Sequence, residues 1–264
     1  MNYKIKFILL FVCLSSSASI SSAQESRQKF LGIETGMTMI GCKMSDMDFI
    51  RGDVPSYPTG SYYSTNNLTS LMYNSFIGIK SECFSLNNKF GFSGGIRYTR
   101  TNSSVGKNDY WSNSVDYFYL LYSQEGVNTE YLKVKEIIQK SDYVGIPLEI
   151  RYFPFRPRLF RLYFKLGAEI GFRLQSHTDV VFQDDAMEPY QNDVSAMVGK
   201  PGSISSSVSG SAGMSLGRAS KPVVSFEICL PAIFITSKSS GLVSPISGGG
   251  FQLNFQIPLK SKIQ

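Results

Sequence analysis

His177 is the one histidine of the chain, and carboxylates follow it at Asp179, Asp184 and Asp185. An imidazole near a carboxylate is the acid–base half of a hydrolase or acyltransferase, which needs a nucleophile to complete it. A lone histidine in a loop is also an ordinary solvated side chain, and this chain is read as a non-enzyme. Metal chemistry lacks its ligands. Cys42, Cys83 and Cys229 are scattered beyond the first 23 residues, at no metal-ligand spacing and in an odd number that argues against a disulfide framework. Gly248-Gly249-Gly250 lacks the strand–helix context of a phosphate loop. No catalytic, metal or cofactor-binding residue is assigned, and no cofactor is expected.

A second set of residues has chemistry of another kind. Glu34, Lys80, Glu82, Arg97, Glu149, Arg151, Lys165, Glu169, Arg173 and Glu227 all fall on small, polar faces of segments whose opposite face is apolar. Five are acids and five are bases. Charges enclosed together are tolerated only when paired and hydrogen-bonded, so this balance predicts a salt-bridged interior. Replacing Glu169 with Gln is expected to cost about 3–5 kcal/mol where its pair is fully buried.

The elements that must position these residues are strands. Leu162, Phe164, Leu166, Ala168, Ile170, Phe172 and Leu174 alternate with Tyr163, Lys165, Gly167, Glu169, Gly171 and Arg173. Side chains alternate across a β-strand, and this run is long enough for the roughly 9–11 residues that cross a bilayer as a tilted strand. The same pattern marks eight strands at about 30–42, 73–84, 90–101, 143–155, 162–174, 203–216, 224–235 and 250–259, the fourth beginning as early as Tyr131. The seventh is the least regular, because Ile233 and Ile235 break its polar face. Pro147 lies inside the fourth, where its missing N–H predicts a bulge. The serine line Ser205, Ser207, Ser209 and Ser211 leaves room for long side chains opposite.

Short turns join strands two and three, four and five, and six and seven, whereas segments 43–72, 102–142, 178–202 and 236–249 are long. That alternation is the outer-membrane arrangement, with turns in the periplasm and loops outside. The short-turn end carries Arg27, Lys29, Lys89, Arg156, Arg158, Arg161, Arg218, Lys221, Lys260 and Lys262 against Glu25, read as a solvated surface. Phe30, Phe84, Phe90, Phe153, Phe155 and Phe160 are expected as an aromatic girdle there, with Tyr98, Phe234 and Phe251 at the other end. Residues 1–23 have the form of a signal peptide: Lys4 and Lys6, an apolar run from Phe7 to Leu14, then Ser21-Ser22-Ala23. Residues 24–264 would then be one barrel domain. The formal charge of +6 is too mild and dispersed for nucleic-acid binding.

A soluble lipocalin-like barrel also alternates, but its apolar face turns inward and its charges outward. The polar faces here are rich in Gly and Ser with few charges, which suits an enclosed lumen and a lipid exterior. The reading is an all-β, eight-stranded antiparallel transmembrane β-barrel of outer-membrane type with long extracellular loops. Its lumen is narrow enough for side chains to fill.

The stretch Tyr143-Val144-Gly145-Ile146-Pro147-Leu148-Glu149-Ile150-Arg151-Tyr152, followed by Leu162-Tyr163-Phe164-Lys165-Leu166-Gly167-Ala168-Glu169-Ile170-Gly171, resembles the PorT-like family of small outer-membrane barrels from the Bacteroidota. Those proteins show an aromatic-x-x-Ile-Pro-Leu strand ending in a basic-aromatic pair, then a Gly-x-x-x-Gly strand. Gly145 stands where an acidic residue is common in them. The resemblance implies the barrel fold and a role in surface assembly or secretion. The function expected is a non-enzymatic outer-membrane barrel in contact with lipid, whose outer loops bind a protein partner. The rivals are a hydrolase or acyltransferase using His177, and a soluble periplasmic binding barrel. Deleting the loop tip around Asp184–Asn192 is expected to abolish function and leave the barrel folded.

Overall fold

In the computed structural model, residues 28–51, 68–85, 88–107, 116–125, 128–155, 159–217, 221–236 and 239–259 are described. The signal expected at 1–23 and the turn at 156–158 lie outside them, as does half of the turn after Phe84.

The strands are β1 (Lys29–Met44), β2 (Ile50–Arg51), β3 (Leu68–Phe84), β4 (Phe90–Lys107), β5 (Phe118–Glu125), β6 (Asn128–Tyr152), β7 (Phe160–Phe182), β8 (Ile204–Leu216), β9 (Val223–Phe234) and β10 (Val243–Leu259). Every pairing is antiparallel, and β1, β3, β4, β6, β7, β8, β9 and β10 close into a ring through the β6–β7 and β1–β10 ladders. The eight expected strands are these eight. Outward side chains form a continuous apolar belt that includes Ile33, Ile79, Phe92, Leu148, Leu166, Ile228 and Leu253, all exposed. An apolar surface of that extent belongs in lipid, and the inward face is ionic, the inverse of a lipocalin.

Irregularities in the alternation have local causes. One extra residue in β9 between Cys229 and Ala232 shifts its register against both β8 and β10. That bulge reverses the parity, so Ile233 and Ile235 point to lipid like Ile228 before them. Pro147 makes no bulge. The β4–β6 register is the same on both sides of it, from Gly94–Leu148 to Arg97–Gly145. A proline removes one ladder donor but inserts no residue.

Three of the six aromatics expected in the girdle at the short-turn end are inside the barrel. Phe30, Phe84 and Phe153 are 1%, 4% and 2% exposed and form a row that ends on Tyr163, with neighbouring ring centroids 5.2–5.7 Å apart. They have the inward parity of their strands and stopper that end, while Phe90, Phe155 and Phe160 remain outside.

Segment 102–142, expected as a loop, is mostly strand. Strands β4, β6 and β7 run on past the belt, and β5 takes over from β4 as the neighbour of β6. Phe118, Leu120, Leu132, Val134, Ile137 and Val180 turn to one side and bury a core with Ile40, Ile50, Met72, Val105, Leu242 and Val243. We call this region the cap. Segment 178–202 contributes a 3-10 turn (Asp185–Tyr190) and helix α1 (Gln191–Met197), with the Asp184 side chain accepting from the Ala186 N–H at the start of the turn. Beyond Phe172 one edge of β7 has no strand partner. Helix α1 covers that edge: Ser195 Oγ donates to the Thr178 carbonyl at 3.1 Å, and the Gln191 carboxamide, in its satisfied orientation, pairs with both backbone groups of Val180. Met187, Tyr190, Val194 and Val198 also enter the cap core. Deleting 184–192 would therefore open that core, so the expected loss of function would come with loss of cap packing as well as of the surface turn.

Candidate functional site

The lumen is built from the inward residues of the ring strands. Lys80 Nζ lies 2.9 Å from both Glu34 and Glu149. The Arg97 guanidinium reaches Glu34 and Glu169 at 2.6 Å and Glu149 at 3.2 Å. Lys165 joins Glu149 at 3.0 Å to Glu227 at 2.5 Å, and Arg151 joins Glu82 at 3.0 Å to Glu227 at 2.7 Å. Nine of the ten residues singled out in the sequence thus form one connected ionic layer across the lumen.

Arg173 is the exception. It sits near the cap end, beside the extra residue that Leu174 adds to β7, and its guanidinium donates to the Pro201 carbonyl. Arg161, expected on the solvated short-turn surface, takes a place inside instead. It is 6% exposed, and its guanidinium lies over the Phe84 and Phe153 rings at 5.6 and 5.0 Å. The lumen keeps its balance of five acids and five bases by this exchange.

Neutral groups complete the layer. Tyr163 donates to Glu227 at 2.8 Å, Asn254 to Glu227 at 2.8 Å, Gln252 to Glu34 at 2.9 Å, and Gln256 to Glu82 at 2.5 Å. All four stand on polar strand faces visible in the sequence, but uncharged residues give no sign of membership there. The glycines of these faces supply space. A Cβ on Gly78 would come within 2.9 Å of Glu34 Oε1, one on Gly145 within 2.9 Å of Glu169 Oε1, and one on Gly213 within 2.6 Å of the Tyr163 ring. Gly145 thus leaves room for Glu169.

Towards the cap, the layer borders a small polar chamber of about 90 Å³ lined by Glu169, Asn74, Tyr143 and Ser207, room for a few waters. Its roof is chain from 199–202 and 239–241. Tyr143 donates to the Gly202 and Ser239 carbonyls, each at 3.3 Å, and Gln139 accepts from Gly241 N–H at 2.7 Å while donating to the Gly199 carbonyl at 3.0 Å. Aromatic stopper, ionic layer and roof close the barrel in three places. Glu169 faces this chamber, with its side chain 21% exposed. Arg97 keeps Glu34 and Glu149 when Glu169 is lost, so Glu169→Gln is expected to cost about 1–2 kcal/mol rather than the full buried-pair cost. Urea midpoints of the two proteins in detergent check this.

His177 points outward above the belt and is exposed, with Nε2 2.8 Å from Asp179 Oδ1. Burial raises the Asp179 carboxyl pKa, but the Lys140 hydrogen bond and the His177 charge outweigh it and hold the group below its usual range. No serine, threonine or cysteine hydrogen-bonds to His177 among the described residues. Ser195, on the nearby helix, is engaged with the Thr178 carbonyl. Neither is any group of three or more metal-ligating side chains present among the described residues.

No protein-family model and no curated protein matches the chain. Among solved structures it is similar to the outer membrane protein OprG from Pseudomonas aeruginosa, with 12% identity and a TM-score of 0.44, covering 89% of this chain and 98% of that one. It is also similar to Ail, the attachment invasion locus protein of Yersinia pestis, in complex with the heparin analogue sucrose octasulfate, with 13% identity and a TM-score of 0.38, covering 89% of this chain and 100% of that one. The translocator domain of the autotransporter NalP from Neisseria meningitidis shares 8% identity at a TM-score of 0.30, covering 97% of this chain and 98% of that one.

Proposed function

We propose that this chain is a non-enzymatic outer-membrane protein, exported with cleavage of residues 1–23, whose cap stands outside the cell and binds a partner in surface assembly or secretion. The observation that carries this reading is the pairing of a closed lumen with a cap that has its own apolar core. A lumen filled by ion pairs conducts no solute of useful size. What it supplies is a rigid lipid-anchored base, and function on such a scaffold sits on the segments it holds out. The PorT-like resemblance points the same way and names no partner. The apolar belt supports contact with outer-membrane lipid and disfavours a soluble periplasmic protein.

The enzyme reading has one observation in its favour, the His177–Asp179 pair, on which no nucleophile stands among the described residues. Purified protein in detergent is expected to turn over neither ester nor amide substrates nor acyl donors. A rate that falls on His177→Ala at unchanged heat-modifiable mobility would establish the hydrolase or acyltransferase instead. In cells, chemical cross-linking before detergent extraction is expected to join the cap to a stoichiometric partner. Full recovery of the chain as an uncross-linked species under conditions that trap known surface complexes would count against the scaffold role.

A further inference from the structure

The exposed charge at the short-turn end of the ring is of one sign. Lys29 opens β1, Lys89 stands in the turn between β3 and β4, and Lys221 precedes β9; all three are exposed. Among the described residues of that end (28–30, 84–85, 88–90, 153–155, 159–161, 216–217, 221–223 and 258–259) there is no Asp or Glu. In sequence, the connecting residues add Arg27, Arg156, Arg158, Arg218, Lys260 and Lys262 against Glu25, so nine cations in all meet one carboxylate. A surface made only for solubility mixes both signs. The cap end does so, with Arg100 beside Asp142 and Lys140 beside Asp179.

These cations stand where the apolar belt stops. Lys29 pairs in register with Leu259 and is two residues from Leu31, both of them exposed to lipid. Lys89 adjoins the exposed Phe90, whose ring stacks on the exposed Tyr152 at 5.2 Å. In sequence, Arg156 and Arg158 fall between Phe155 and Leu159, which are 67% and 61% exposed. Lys221 stands three residues before the outward Val224. In ring order these corners are the start of β1, the β3–β4, β6–β7 and β8–β9 turns and the end of β10. The charge therefore runs round the whole barrel instead of gathering on one side. A docked protein needs a patch, whereas a ring of cations at the edge of an apolar belt matches a layer of headgroups. Lys and Arg lay their stems along apolar surface and hold their heads at that level, where each attracts anionic lipid within about a Debye length.

We propose that this rim selects anionic phospholipids as the boundary lipid of the periplasmic leaflet. The proposal rests on the reading of the chain as an outer-membrane protein and names the class of lipid that it holds.

The test is electron spin resonance on the full chain reconstituted in phosphatidylcholine vesicles, with spin-labelled phosphatidylglycerol and spin-labelled phosphatidylcholine as the probes. Lipid at the barrel wall is motionally restricted, and the restricted fraction of each probe gives its relative affinity. At low salt phosphatidylglycerol is expected to be preferred on the order of fourfold, and about 1 M NaCl should bring the preference near unity. In the Lys29→Gln/Lys89→Gln/Lys221→Gln variant it should fall to roughly two- to threefold, and adding Arg156→Gln and Arg158→Gln should bring it below about twofold. Heat-modifiable mobility should be unchanged throughout. Lys140→Gln with Asp179→Asn, at the cap edge of the belt, is the control and should leave the preference as it is. Equal restriction of the two probes, a preference that survives salt, full preference in the five-site variant, or an equal loss from the control would each overturn the proposal. Restriction of phosphatidylcholine itself reports a barrel in the bilayer, so any of these results leaves the outer-membrane reading standing. No restricted lipid of either kind would remove that reading and the proposal with it.

Discussion

Arg151→Met is expected to destabilise the barrel by about 3–5 kcal/mol, because it leaves two buried carboxylates without their shared cation. Glu82 and Glu227 have no exposed side-chain surface, and each pairs with one arm of the guanidinium. The remaining cation on Glu227 is Lys165, which also serves Glu149. Among the described residues, Glu82 retains only the neutral donor of Gln256 as a direct partner. The measurement is the urea midpoint of the heat-modifiable form in detergent. Adding Glu227→Gln to Arg151→Met should recover part of the loss, since residues of one ionic network do not contribute additively. Arg100→Met is the control. Arg100 pairs with Asp142 at 2.8 Å on the outer wall; Arg100 is half exposed and Asp142 nearly buried, but Asp142 keeps the Gln175 donor at 2.7 Å, so the loss is expected to be about 1–2 kcal/mol. Equal losses from the two variants would mean that the ionic layer is hydrated and bears little of the stability.

Phe118→Ala is expected to loosen the cap and spare the barrel. Phe118 is fully buried in the core that β5 and β6 share with β1, β3 and β10. Truncating a core phenylalanine costs about 3–5 kcal/mol, and here the cavity opens well beyond the apolar belt. Amide exchange in β5 and in the first residues of β6 should accelerate by a hundredfold or more. Exchange in the belt portion of the ring, such as β3 from Ile77 to Phe84, should stay as it is, and so should the heat-modifiable mobility. If the scaffold reading holds, partner cross-linking is lost with cap order. Loss of the barrel itself in this variant would show that cap and barrel fold as one unit.

The barrel is legible in the sequence because lipid outside and ion pairs inside impose a strict two-residue period on each strand. Parity alone leads to nine of the ten charges, and parity fails where a bulge intervenes. Arg173 stands next to the extra residue at Leu174, and Ile233 and Ile235 follow the extra residue in β9. Parity does separate an aromatic at the rim from one inside it: Phe30, Phe84 and Phe153 share the parity of Glu34, Glu82 and Arg151, and only their place at strand ends makes them look like girdle residues. The cap is hidden for a different reason. Its strands β5 and β6 bury Phe118, Leu120, Leu132 and Val134, and Tyr119 and Tyr131 stand on the other side with Tyr117 just before them. Apolar and aromatic residues therefore follow one another there without a clean alternation. The place of α1 depends on a helix packed against a strand edge, a contact that no local spacing announces.

Conductance across a planar lipid bilayer tests the closed barrel most directly. The purified chain, shown by heat-modifiable mobility to be folded and inserted, is expected to give no stable current steps, because stopper, ionic layer and roof each block the lumen. Stable steps of porin size from the folded protein would contradict the account.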